Sequence, residues 1–356
     1  MKILITGVCG FVGSRLAFSL KDRLAEVEIV GLDNLSRRGS ETNLAPLKAV
    51  GCQVFHGDVR SDEDVREIPK VDWIIDCAAN PSVMAGLSGG TRQLVGHNLG
   101  GTLNLLEKCR ADQAGLVLLS SSRVYSIEAL NALPLEATKT RLRPTPFTEG
   151  SSVAGFSERG VSEAFPTTAP ISIYGATKLA SEVMALEYGS AFGFPVWINR
   201  CGVIAGSGQF GRIDQGIFSF WIYQWLKSGR LSYIGFGGRG LQVRDFLAPS
   251  DLSNLVHKQL TLVPGDRPRI VNVGGGNDRA MSLAELSAWC REAIGSDVAV
   301  LNSTESRPFD IPYFVTDSSL AEQVWQWAPQ ERAHDTLEGI LKWAQANRDL
   351  LAVFGS

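Results

Sequence analysis

The first thirteen residues constrain this chain more than any other stretch. Met1-Lys-Ile-Leu-Ile-Thr-Gly-Val-Cys-Gly-Phe-Val-Gly13 is a short apolar run that passes into three glycines at three-residue spacing. It reads as a buried strand, a tight turn and the start of a helix. Gly7 allows the turn, Gly10 lets backbone approach a diphosphate, and Gly13 lets the helix pack on the strand. The N-terminus of that helix offers free N–H groups and partial positive charge to phosphates. The glycines interrupt the apolar run too early for a signal peptide, so it is read as the first strand.

The same alternation continues along the chain. Apolar runs at Ile3–Ile5, Val27–Leu32, Gln53–His56, Trp73–Cys77, Leu116–Leu119, Val196–Asn199 and Ile270–Val273 are separated by helical patterns, among them Phe11–Leu24, Asn98–Cys109 and Ala176–Phe192. Strands alternating with helices predict right-handed crossovers, hence an α/β fold with a Rossmann-type, doubly wound parallel sheet. Residues 1–200 are expected to form the dinucleotide-binding domain, with the strand at 270–273 returning to it. Residues 201–356 are expected to form mainly a smaller, substrate-binding C-terminal lobe. Ser126–Pro170 is rich in Pro, Ser, Thr, Gly and Glu and lacks periodicity. A loop that long inside a compact domain is expected to be functional or a lid.

Composition excludes several classes of function. The 356 residues carry a formal charge of −3, and 20% are charged, so no basic footprint for nucleic acid or an acidic membrane is present. No apolar run approaches the ~20 residues of a membrane span. Cys9, Cys52, Cys77, Cys109, Cys201 and Cys290 are scattered without a Cys-x-x-Cys pair, and the four histidines show no ligand spacing. No metal site is expected, and the protein reads as reduced and cytoplasmic.

Four further features carry chemistry. Asp33 ends the second strand-like run, 20 residues after Gly13. Its carboxylate can accept from ribose hydroxyls and would repel a 2′-phosphate, which favours NAD over NADP despite Arg37 and Arg38 nearby. Asp58, after the third run, is placed to read an adenine amino group. Ser172-Ile-Tyr-Gly-Ala-Thr-Lys178 sets Tyr174 and Lys178 one helical turn apart on one face. Tyrosine alone is a poor base at neutral pH, but a nearby ammonium and a positive nicotinamide ring favour its phenolate. Leu119-Ser-Ser-Ser-Arg-Val-Tyr125 supplies the hydroxyl that would bind the same substrate oxygen. The combination describes hydride transfer to and from a bound nicotinamide.

These motifs, with Asp33-Asn-Leu-Ser-Arg-Arg-Gly39, Gly100-Gly-Thr-Leu-Asn-Leu-Leu-Glu107, Gln209-Phe, Asp214-Gln-Gly216, Gln242-Val-Arg-Asp245 and Asn272-Val-Gly-Gly275, resemble the extended short-chain dehydrogenase/reductases. Within them the likeness is to the NAD-dependent sugar-nucleotide epimerases and dehydratases, and most of all to the CDP-paratose (CDP-tyvelose) 2-epimerases. The resemblance spans nearly the whole chain. It implies Ser121, Tyr174 and Lys178 as catalytic residues, with Tyr174 as general base and acid. It implies Phe11, Val12, Asn34, Ser36, Arg37, Val59, Ala78, Ala79 and Asn98 as further cofactor residues beside Gly7, Gly10, Gly13, Asp33 and Asp58. For the substrate it implies Asn80, Ser122, Arg123, Asn199, Gln209, Arg212, Asp214, Gln242, Arg244 and Arg307. Arginine suits a diphosphate because its fork is planar and permanently charged.

Three departures are expected to fall at the mouth of the site: Ser126 in place of a glycine, Arg200–Gly206 without the family's tyrosine, and the length of Ser126–Pro170. Dehydratases of the family carry acids immediately after the catalytic Ser/Thr, whereas Ser122 and Arg123 follow Ser121 here. The resemblance therefore implies epimerisation of a nucleotide-activated hexose, first at C2 of a CDP-sugar. C4-epimerisation and decarboxylation stay open, as does an inactive NAD-binding scaffold. A homodimer through the helices at 98–109 and 176–192 is expected by resemblance.

Overall fold

A computed structural model describes residues 1–354 except 86, 88, 148–152, 263, 264, 266 and 306. All seven expected strands form, and they make one parallel sheet. Its order is Ile270–Val273, Val196–Cys201, Gly115–Ser121, Trp73–Asp76, Lys2–Thr6, Glu28–Asp33, Gln53–His56. Several of these strands, such as Trp73–Asp76 and Val196–Cys201, are buried throughout, as expected where helices cover both sheet faces. The chain reverses direction of winding between Lys2–Thr6 and Trp73–Asp76. In open sheets of this kind ligands bind in the crevice at that switch point. Thr6 ties the two strand ends together: its hydroxyl donates to Asp76 (2.9 Å) and accepts from the N–H groups of Cys77 and Ala78.

Past residue 201 the chain builds a second lobe. Strand Val243–Leu247 pairs with Val203–Ile204, Ala280–Ser282 and Tyr313–Phe314. Trp221 and Trp225 of helix Ile217–Leu226 pack with Leu286, Cys290, Leu337 and Ile340 into a separate core. Not all of residues 201–356 belongs to this lobe. Helix Pro249–Thr261 and helix Ser319–Trp325 bury Leu252, Leu255, Val256 and Trp325 in the core of the large sheet. The expected boundary near 200 thus misses two later covers of the first layer.

Ser126–Pro170 corrects an expectation more sharply. Its described residues do not line the site cavity. Leu130, Leu133, Phe156, Val161 and Phe165 are buried against Tyr313, Phe314 and Val315 instead. Ser126 caps a short helix by accepting from the Ala129 N–H (3.4 Å), so this departure also lies away from the mouth. The segment is a strap on the second lobe, and hidden apolar residues rather than periodicity hold it there. Of the three departures, Arg200–Gly206 alone reaches the cavity, through Cys201 to Ile204. Among the described residues, no helix is long and apolar enough to cross a membrane.

Candidate active site

The two lobes enclose a cavity of about 1320 Å³ at the C-terminal ends of the large sheet's strands. That exceeds the roughly 300–1,000 Å³ typical of one small-molecule site, as a site for two ligands would. Its first end is made of backbone. Gly7 adopts φ +60, and a Cβ on Gly13 would stand 2.3 Å from the Gly7 carbonyl, so neither position tolerates a side chain. Helix Phe11–Arg23 begins at Gly10 with no side-chain cap and no acid in its first turn. Its first N–H groups therefore have no partner within the helix and face the cavity. Asp33 closes this end; its two oxygens accept the Cys9 and Leu35 N–H groups, each at 2.8 Å. Each oxygen keeps a lone pair for a ligand hydroxyl. Burial raises the Asp33 carboxyl above its ordinary range, against those backbone bonds.

The second wall comes from strand Gly115–Ser121 and helix Ser172–Phe192. The helix starts where Ser172 Oγ accepts the Gly175 N–H (3.1 Å), four residues before the sequence pattern suggests. Tyr174 and Lys178 lie in its first two turns, 8% and 3% exposed, and both line the cavity with Ser121. A buried network fixes this wall from behind. Ser120 Oγ donates to Glu182 (2.5 Å), Glu182 pairs with Arg200 (2.7 Å), and Arg200 reaches the Tyr125 hydroxyl, which donates to Asn272. Glu182 was missed in sequence, although Tyr174, Lys178 and Glu182 recur at four-residue spacing.

The second lobe supplies the remaining end. Arg123 donates to the Phe309 carbonyl (3.1 Å) and lies within electrostatic reach of Asp310 and Tyr174; burial lowers its pKa from the ordinary value. Arg244 donates to the Ile311 carbonyl (2.6 Å) and pairs with Asp310 (3.3 Å). Burial pushes Arg244 down to about 10, Asp310 acting in opposition. Phe309 itself sits at φ +61, a strained conformation held by these bonds. At the rim, Ser82 of the first lobe donates to Asp214 of the second (2.7 Å). Neither Asp310 nor Ser82 was expected; Arg307-Pro-Phe-Asp310 was a weak signal for the first.

Most sequence-derived residues meet here, but three do not. Asn199 is 0% exposed and exchanges both amide bonds with Gln259 (2.9 and 2.8 Å), so it is a core residue outside the cavity. Asp58 also stays off the cavity wall. Its carboxylate is held well below the usual range, first by the Arg60 guanidinium, and it accepts from Asn34, which does line the cavity. Asn98 lies behind the wall in a wide turn at Gly96–Gly100, where it bonds the Asn80 N–H (2.8 Å) and carbonyl (3.2 Å). Gln209 reaches the cavity with its amide already engaged, by the Ile204 carbonyl and the Ser219 hydroxyl.

Comparison with known proteins decides the family. The model of the NAD dependent epimerase/dehydratase family matches residues 3–274. The chain belongs to that family. CDP-paratose 2-epimerase of Salmonella typhi is 30% identical over 355 residues, covering 97% of this chain and 100% of that one. UDP-glucuronate 4-epimerase of Thermodesulfobacterium geofontis is 26% identical over 360 residues, covering 98% and 97%. Among solved structures, UDP-glucuronic acid 4-epimerase from Bacillus cereus, in complex with UDP-glucuronic acid and NAD, matches with a TM-score of 0.79 at 24% identity, covering 97% and 99%. UDP-glucose 4-epimerase from Thermus thermophilus, in complex with NAD, gives 0.76 at 25%, covering 98% and 100%.

This NAD-dependent epimerase/dehydratase family member is an enzyme, and NAD is its cofactor. The residues fit that group. The uncapped helix end at Gly10 offers donors to a diphosphate, the space above Gly7 and Gly13 is free of side chains, and Asp33 can hold ribose hydroxyls.

Proposed function

We propose that the enzyme epimerises a nucleotide-activated hexose, with C2 of a CDP-linked sugar as the first reading. One observation carries it. Ser121, Tyr174 and Lys178 share one cavity wall, and the residues after Ser121 are Ser122 and Arg123 rather than acids. Among the described residues, the cavity's carboxylates are Asp33, Asp214 and Asp310. The first is at the dinucleotide end, the second at the rim, and the third is tied to Arg244 and the Ile311 N–H. None is placed after Ser121 to drive loss of water.

NAD, when bound, supplies the two-electron oxidation and the matching reduction. The chain's own residues handle the proton and the positions. Ser121 hydrogen-bonds the reacting hydroxyl, and Tyr174 removes its proton as the carbon becomes a ketone. Lys178, one turn along, sets a positive charge beside the oxygen that then carries the negative one. Arg244 and Arg307 suit the diphosphate, which stays anchored while the keto-sugar turns and takes the proton back from Tyr174. The full-length 30% identity to CDP-paratose 2-epimerase supports C2 and the CDP group. C4 is the second reading, supported by the relatives that are 4-epimerases. Incubation of the purified enzyme with CDP- and UDP-sugars, followed by NMR of the C2 and C4 protons, separates them. Inversion at neither carbon removes epimerisation.

The homodimer is likewise a proposal. Helices Gly101–Asp112 and Ser172–Phe192 lie side by side, with Tyr188 bonded to Glu107, and Val183 is 53% exposed on the second. Light scattering on the eluted protein tests it; a monomer mass overturns it.

A further inference from the structure

Gln242 is a cavity side chain whose position is fixed and one of whose polar atoms is unspent; Ser40, Arg212 and Gln215 in the same lining also keep a buried atom without a partner among the described residues. It is 8% exposed, and its Nε2 donates to the Ile234 carbonyl at 2.7 Å. That bond sets the amide so that Oε1 is turned the other way. Oε1 is buried and has no donor among the described residues. A buried acceptor left this way is destabilising unless a ligand supplies the missing hydrogen bond.

Its surroundings say which part of a ligand arrives there. Gln242 precedes strand Val243–Leu247, where residues two apart share a face. Arg244, on the same face, meets Asp310, and Arg123 reaches Asp310 and Tyr174. Asp245 bonds the Gly276 N–H close to the end of sheet strand Ile270–Val273. The strand therefore points its later residues at the large sheet, and Gln242 stands at the outer end, about 6.5 Å beyond Arg244. The ladder pairs Val243 with Ser282 and Arg244 with Met281, which brings Leu283 beside Gln242. Ile234, Met281 and Leu283 all line the cavity. The result is a largely apolar slot, past the arginines proposed for the diphosphate as seen from the catalytic wall. Ser232 lies on strand Leu231–Ile234 beside it and Arg230 just before that strand, and the buried Gln242 acceptor is in its wall. A planar base fits such a slot; a hydroxyl-covered sugar does not.

We propose that Gln242 is the residue that reads the nucleobase, and that it selects an amino-pyrimidine, cytosine, over uracil. The proposal rests on the sugar-nucleotide reading above and adds its base. Cytosine presents a 4-amino donor to Gln242 Oε1. Uracil presents a carbonyl oxygen at the same position, and lone pair then faces lone pair. The amide nitrogen cannot compensate, because Ile234 holds it.

The test is calorimetric titration of the NAD-loaded enzyme with CDP and with UDP, repeated on Gln242→Met. The wild-type enzyme is expected to bind CDP about tenfold or more tightly than UDP, the size of one buried hydrogen bond. Gln242→Met is expected to lose that preference while keeping NAD. Equal binding of the two nucleotides by the wild type, or a preference that survives in Gln242→Met, overturns the assignment and leaves the sugar-nucleotide reading standing. Binding of neither nucleotide overturns both. The wild-type ratio alone decides if the variant does not fold.

Discussion

The two ends of the cavity are built on different principles. The end that fits the dinucleotide is built round the backbone of one stretch, Gly7–Gly13, with Asp33 from the next strand. The end proposed for the sugar nucleotide is almost all side chain. It draws on Ser82, Arg123, Gln209–Gly216, Gln242, Arg244 and Arg307–Asp310, which lie far apart in sequence. A site made of backbone tolerates few substitutions and serves one ligand. A site made of side chains on loops can be retuned residue by residue, which is how one fold comes to serve many substrates.

The wall between the ends belongs to both, and its loss is expected to have the largest effect. Tyr174→Phe removes the proposed proton acceptor and is expected to lower kcat by about 10²–10⁴-fold. NAD should still bind, because the helix end that fits its phosphates lies at the other end. Fluorescence of bound NADH together with NMR-detected turnover reads both quantities. Turnover unchanged in this variant would favour an NAD-binding scaffold over an enzyme.

The next two substitutions set the ends against each other. Arg307 is partly exposed at the substrate end and meets the Ile213 carbonyl at 3.4 Å. Arg307→Met is expected to raise KM for the sugar nucleotide about 10–100-fold, the size of a lost hydrogen bond to a charged group. NAD affinity and melting temperature should not move. Gly13→Val should do the reverse. Its Cβ would press on the Gly7 carbonyl at 2.3 Å, a side-chain atom against backbone. The expected cost is about 1–3 kcal/mol of stability, with loss of NAD. A Gly13→Val enzyme that keeps NAD, or an Arg307→Met enzyme that loses it, breaks the division.

The same division explains what could be read in the sequence. The places of Gly7, Gly10, Gly13, Asp33, Tyr174 and Lys178 in the cavity wall are legible because each lies at a fixed offset within one strand–turn–helix unit or one helix face. The parallel sheet is legible because its strands are apolar runs bounded by turn residues. Asn199 misled because an asparagine at a strand end looks the same whether it meets a ligand or, as here, Gln259 from a helix 60 residues away. Ser126–Pro170 misled for a related reason. Its apolar residues have no period, and their partners, Tyr313 to Val315, lie about half the chain away. Ser82 has no motif at all and Asp310 only its nearness to Arg307, and the closing of one lobe on the other is what gives them a role.

Ser82 gives the smallest expected effect and the sharpest probe of how the ends cooperate. Its hydroxyl and the Asp214 carboxylate meet across the rim at 2.7 Å, joining loops 132 residues apart. Both side chains are reached by water, so the bond is worth no more than ~1 kcal/mol. An epimerase must keep the keto-sugar until it is reduced again, and a rim that opens early releases it. Ser82→Ala is therefore expected to change kcat less than about fivefold while raising the fraction of turnovers that end in free ketone and reduced enzyme. That fraction is read as NADH absorbance accumulating under saturating substrate. If Ser82→Ala shows no more accumulation than the wild type, the contact is a passive one, and the two ends are held together by the lobes' packing alone.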